Sequence, residues 1–346
     1  MSFLKKKKGL YSKDTTKINS TFVENCNNNI KFFKMINRRH IRVKVMQSVY
    51  ALLTSKSDNL VKEENFLRNS IDKMYDLYVL MLDILPRIKD QAVEKIEISK
   101  KKHFATDEDL NPNTKFIDNK VFGLIEKSIS FQTYKEEHGL DNWHLEEKYI
   151  KIIHENLVKS AFYKEYMEKP SSSFKEDVAF IVKLYSEFIA PNEKLADYFE
   201  DINISWVDDI PFVNTWVVRT IQNLKENKSL VLGKMYKDED DQKFVIELFR
   251  KVVLNHDAFE KDIENKTPNW ETDRIADLDM IIIKMGICEF LHFSSIPTKA
   301  SINEYLEIAK DYSTPKSSFF INGVLDKVCK DFEKNNRLNK IGRGRL

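Results

Sequence analysis

The sequence predicts an all-α protein, and three observations carry that expectation. Helix breakers are scarce, with 8 Gly and 8 Pro in 346 residues. Lys, Glu, Leu, Ile and Phe, most of which favour long helices, are plentiful. Apolar residues recur at spacings of three and four, whereas the strict alternation of a half-buried strand is rare.

Residues 1–36 are rich in Asn and Lys and hold no sustained period. They read as a basic, disordered tail or upstream extension, with Met35 as an alternative start. Lys5–Lys8 lacks the apolar stretch that a secretory signal would need behind it. A helix comes next over Arg39–Leu53, with Ile41, Val45, Val49 and Leu52 on one stripe and Asn37 as its cap. Asn59 to about Ile98 is apolar-periodic, and Pro86 inside it is expected to kink or divide the helix. Asp107, Asn111, Pro112 and Asn113 mark a loop. Helices are expected over 115–132, 143–167, 174–189, 192–200 and 208–226. After a charged turn at Lys237–Asp241 come helices over 241–254, 256–265, 273–293 and 299–312, and one from Ser317 or Ser318 to about Glu333. Pro297 and Pro315 fall at helix boundaries.

The middle of the chain is partly repeated nearer its end. Phe180–Leu224 lies on Phe244–Cys288 at a constant offset of 64 residues, without a gap. Phe180-Ile-Val-Lys-Leu-Tyr185 matches Phe244-Val-Ile-Glu-Leu-Phe249, Trp206 matches Trp270, and Asp209 matches Asp273. A fixed offset points to a repeated structural unit, although two convergent amphipathic helix pairs would give the same pattern. The organisation read from the chain is a tail (1–36), a first bundle helix (37–58), a helical insertion lobe (59–236), a closing bundle (237–335) and a basic tail (336–346).

Composition narrows the function. Hydrophobic content of 42% and charged content of 32% suit a soluble globular protein large enough for two lobes. No apolar run reaches the roughly 20 residues that cross a bilayer, so no membrane partner is expected. Cys26, Cys288 and Cys329 are odd in number and far apart, which gives neither a disulfide framework nor a metal site and fits a reducing cytoplasm. The net charge is +2, yet both ends are strongly basic, the pattern of a localised polyanion site. No phosphate-binding glycine loop is present, and the seven histidines lack metal-ligand pairing. The chain is therefore expected to be neither an enzyme nor a cofactor binder.

The sharpest polar cluster is Arg38-Arg39-x-x-Arg42 at a helix start. Arginine forks grip phosphate oxygens bidentately and stack on bases, and a helix N-terminus adds free amide donors. The residues alone leave open a merely solvated helix end. Gln47, about one and a half turns beyond Arg42, is placed to reach a base edge, whereas Tyr50 reads as packing. Phe320, opening the last helix, is either a stacking platform for a base or a core residue. Gly323 suggests a close helix approach. Asp273, Asp277 and Asp279 give one helix an acidic surface suited to a basic protein partner, or simply a solvated face.

Asn37-Arg-Arg-His-Ile-Arg42 and Gln47-Ser-Val-Tyr50 belong to a larger pattern. It continues with Trp270-Glu-Thr-Asp-Arg-Ile-Ala-Asp-Leu-Asp279, Ser295-Ile-Pro297, Lys299, Ile302-Asn-Glu304, Ala309-Lys310 and Phe320-Ile-Asn-Gly-Val-Leu-Asp326. Together these resemble the NusB family of transcription antitermination factors. The resemblance covers roughly 37–54 and 241–330, and the stretch between looks like the long insertion of the larger, Bacteroidetes-type members. It implies a NusB-type helical bundle that binds boxA-like single-stranded RNA through Arg38, Arg39, Arg42 and Lys299. It also implies that ribosomal protein S10 docks near the 273–293 helix, within an RNA polymerase antitermination complex on ribosomal RNA operons. Some members dimerise through the RNA face. His40 stands where some members keep another basic residue. The competing expectation is a helical protein-interaction scaffold without RNA binding.

Overall fold

The computed structural model describes residues 36–264, 276–314 and 316–345. Trp270, Asp273 and Pro315, all singled out above, lie outside the described residues. The described chain is all-α, with sixteen helices and no strand. It divides into two compact units: Asp72–Gly233, and residues 36–71 together with 234–345.

The second unit is built from α1 (Arg38–Ser55), the first part of α2 (Leu60–Lys100), α12 (Glu239–Leu254), α13 (His256–Glu264), α14 (Asp277–His292), α15 (Thr298–Tyr312) and α16 (Ser317–Lys334). Asn37 caps α1, its side chain accepting from the His40 amide at 2.9 Å. Ile41, Val45, Val49 and Leu52 are buried, as their stripe requires. Pro86 does not divide α2, which is continuous over Leu60–Lys100. Gly323 is exposed, and a Cβ there would meet nothing, so none of the described helices approaches it closely. The close approach is at Gly286 of α14, where a Cβ would lie 2.7 Å from Leu325 of α16.

The closing segment is folded against this unit. Lys340 Nζ donates to the carbonyls of Glu289 and Phe293 at 3.0 and 2.9 Å, capping the C-terminus of α14. The Ile341 amide bonds Ser294 O, and a Cβ at Gly344 would lie 1.9 Å from that same oxygen, so only glycine fits.

The Asp72–Gly233 unit holds the rest of α2, then α3 (Asp107–Leu110) through α11 (Ile210–Gln222). The expected 115–132 helix is two, Lys120–Glu126 (α4) and Ile129–His138 (α5), because Ser128 caps a new start. The expected 143–167 helix is three: Asn142–Leu145 (α6), Glu147–Lys159 (α7) and Ala161–Glu168 (α8), the last capped by Ser160. Phe174–Leu184 (α9) opens with a Ser173–Glu176 capping box and runs into a π-turn at Tyr185–Ile189. Glu193–Ile202 (α10) and α11 complete the unit. Trp143 and Trp206 lock it by donating to Leu80 O and Lys73 O.

At the offset of 64 residues eight matched apolar pairs are buried in both units. Phe180, Ile181, Leu184, Tyr185, Leu195, Phe199, Val217 and Ile221 are core, and so are Phe244, Val245, Leu248, Phe249, Phe259, Ile263, Ile281 and Met285. Asp177 and Asp241, matched at that offset, are both buried. Each accepts a bond from the first residue of another helix: the Lys120 amide in one case, the Arg38 side chain in the other.

Candidate nucleic-acid interface

The first turn of α1 lies against α12, α14 and α15, and each of its arginines meets its own carboxylate there. Arg38 Nε bonds Asp241 at 2.8 Å, and its guanidinium stands 4.9 Å from the Phe244 ring centre. Arg39 grips Glu304 of α15 through Nε at 2.9 Å and Nη2 at 3.1 Å. Arg42 grips Glu289 of α14 through Nε at 2.6 Å and Nη2 at 2.9 Å.

Arg42 is therefore turned away from the surface on which an RNA contact was expected. It is 3% exposed, enclosed between the rings of Phe244 and Tyr305. Its carboxylate partner also accepts from Ser301 Oγ at 2.6 Å and Tyr305 Oη at 2.7 Å. Burial pulls the Arg42 guanidinium down, but the Glu289 charge and hydrogen bonds outweigh it and leave its pKa above the usual value. Burial likewise works to raise the Glu289 carboxyl, and Arg42, Ser301 and Tyr305 together hold it below the ordinary range. A single buried carboxylate thus joins α1, α14 and α15.

This network brings the start of α1 against the first turns of α15. Lys299, the second residue of α15, is exposed. Arg39 is 40% exposed at its side chain, and the hydrogen bond it donates to Glu304 is the main reason its guanidinium is raised; Glu307 and Asp311 add to it. Glu304, Glu307 and Asp311 recur at three and four, which sets an acidic stripe along one face of α15. That helix runs on for roughly 12 Å beyond Glu304, at 1.5 Å per residue, to Tyr312, and α16 starts only after that end. There Phe320 is half-buried, while Phe319, passed over in the sequence, is 82% exposed. Gln47 is half-buried and sits about 12 Å along α1 from Arg39, outside this cluster.

The expected acidic partner face is also changed. Asp277 is exposed at the start of α14, but Asp279 is buried and accepts from Ser313 Oγ, tying α14 to the end of α15. Asp279 is a structural acceptor rather than a surface charge.

Sequence reasoning missed Glu289, Ser301, Tyr305 and Glu304. A signal existed for the first, since a lone acid in the apolar run Met280–Phe290 has to find a cation. Lys284 in the same run is 1% exposed and bonds Glu260 at 2.8 Å and His256 Nε2 at 2.9 Å. His256, Asp257 and Glu260 have the spacing of metal ligands, and the Lys284 ammonium bonds two of the three, His256 and Glu260.

No described helix is long and apolar enough to cross a membrane. No solved structure matches the chain significantly. The model of the NusB family matches residues 213–330. The transcription antitermination protein NusB of Salinibacter ruber is 40% identical over 116 residues, which cover 34% of this chain and 72% of that protein. The protein of the same name from Clostridium kluyveri is 38% identical over 124 residues, covering 32% and 80%. That from Finegoldia magna is 47% identical over 89 residues, covering 25% and 65%. With relatives 40% and 38% identical matched over 72% and 80% of their own length, and the family model lying on the segment that carries α12 and α14–α16, the chain belongs to the NusB family.

Proposed function

We propose that this protein is an RNA-binding transcription antitermination factor. In this reading it binds boxA-like single-stranded RNA together with ribosomal protein S10 and acts within an RNA polymerase antitermination complex on ribosomal RNA operons. The similar proteins are named for transcription antitermination. The observation that carries the RNA assignment is the joining of the α1 start to the α15 start by Arg42, Glu289, Ser301 and Tyr305. It sets Arg39 and Lys299 on joined elements, while the exposed Phe319, with Phe320 beside it, opens α16 after the far end of α15. Lysine and arginine supply phosphate contacts, and exposed aromatics stack on unpaired bases at about 1–3 kcal/mol per base. Asp277, with Asp273, remains the proposed contribution to the S10 face.

A titration of boxA-like RNA with and without S10, across a salt series, tests this reading. Binding is expected to be tighter with S10 and to weaken with salt. Arg39→Glu is expected to remove RNA binding while leaving the melting temperature close to that of the wild type. Absence of RNA binding under every condition would leave the helical protein-interaction scaffold as the function.

A further inference from the structure

The half-exposed arginines at the start of α1 do not act as free cations. Arg38 is bridged to Asp241 and Arg39 to Glu304, so each pair is close to neutral as a unit. Glu304 also lies 3.8 Å from Arg42 Nη1, which places it between the buried pair and the rim. The acidic stripe continues through Glu307 and Asp311. A nucleic-acid site driven by charge alone would not set carboxylates here, because each offsets counterion release, the main source of sequence-independent affinity.

The geometry suggests a different use for Arg39. Its bonds to Glu304 occupy Nε and one proton of Nη2. Nη1 and the second proton of Nη2 form the other edge of the fork, the edge that matches a paired acceptor on a phosphate or a base. Resting on the RNA-binding reading above, we propose that Glu304 is a specificity-determining residue: it withholds Arg39 from indiscriminate phosphate binding and fixes the guanidinium plane, so that RNA able to engage its remaining edge is favoured over generic single strands.

The experiment compares full-length wild type with Glu304→Gln by titrating a boxA-like oligoribonucleotide and an oligouridylate of equal length over a salt series. Glu304→Gln is expected to bind oligouridylate about three- to tenfold more tightly at low salt, with a log–log salt slope steeper by about 0.7, the value for one more phosphate contact on a single strand. The preference for boxA-like RNA should fall accordingly. Glu247→Gln, which removes the same charge from an exposed i,i+4 pair with Lys251, is expected to change neither quantity. Adding Arg39→Gln to Glu304→Gln should erase the gain, because the gain passes through Arg39. Glu304→Ala, with melting curves for every variant, guards against an effect of misfolding. If the wild type binds RNA and Glu304→Gln leaves oligouridylate affinity and slope unchanged or reduced, the role of Glu304 is overturned while the function stands. If neither protein binds either RNA, the RNA-binding reading falls and takes this proposal with it.

Discussion

Replacing Arg42 by Met should unfold this bundle from within rather than blunt a surface. The change removes two bonds to a fully buried carboxylate, at 2.6 and 2.9 Å. Bonds to charged groups contribute about 1.5–3 kcal/mol each, and breaking a buried ion pair by removing one partner costs about 3–5 kcal/mol. Glu289 keeps Ser301 and Tyr305 as donors at 2.6 and 2.7 Å, so the loss should fall near the lower end, about 3 kcal/mol. Urea unfolding at pH 7, read as the midpoint times the slope, measures it. The pH dependence supplies a second and more specific readout. In the wild type the Glu289 carboxyl is held below its ordinary range, so its contribution is complete above the unfolded value, about 4.3, and is lost as pH falls through the folded value. Without Arg42, burial dominates and pushes the carboxyl up. The variant should then lose stability as pH rises from about 4.3 towards neutrality, a slope of opposite sign. Arg42→Met with Glu289→Met should recover much of the loss, giving a coupling of about 2 kcal/mol. A cost below about 1 kcal/mol for Arg42→Met, a slope of unchanged sign, or strictly additive single effects would refute the reasoning.

Gly286→Val should cost about 1–3 kcal/mol in thermal or urea unfolding, because its branches enter the space held by Leu325. Gly323→Ala, in the open on α16, should instead stabilise by up to about 1 kcal/mol by raising helix propensity. Lys284→Met should be neutral or raise the melting temperature, since burial lowers the lysine pKa and the Glu260 left behind is partly exposed and can be hydrated. Lys340→Met removes two caps from the end of α14 and should cost about 1 kcal/mol without altering the helix content seen by circular dichroism.

Local rules determined much of this protein directly from its sequence. Scarce breakers and 3.6-residue periodicity set the helices, and short side chains such as Asn37 and Ser173 set where they begin, because capping depends on residues close in the chain. The match at an offset of 64 residues was also visible in the sequence, and several of its apolar pairs are buried in both units. The helix breaks at Ser128 and Ser160 were less legible: apolar periodicity runs through a cap when the next helix restarts nearly in phase.

Only the tertiary structure decided what the charged residues do. Arg38, Arg39 and Arg42 look equivalent in the sequence, yet successive helix positions are turned about 100° from one another. Arg38 and Arg42, four positions apart, therefore share a face and both stand near Phe244, but Arg42, one turn further into the helix, is enclosed against Glu289, 247 positions away, while Arg38 and Arg39 at the helix end stay half-exposed on carboxylates of other helices. Asp277 and Asp279, two positions apart, do point to opposite sides, one to the surface and one to Ser313. A sequence fixes which face of a helix a charge occupies, but its partner depends on which distant helix packs there, and that is settled only when the chain folds.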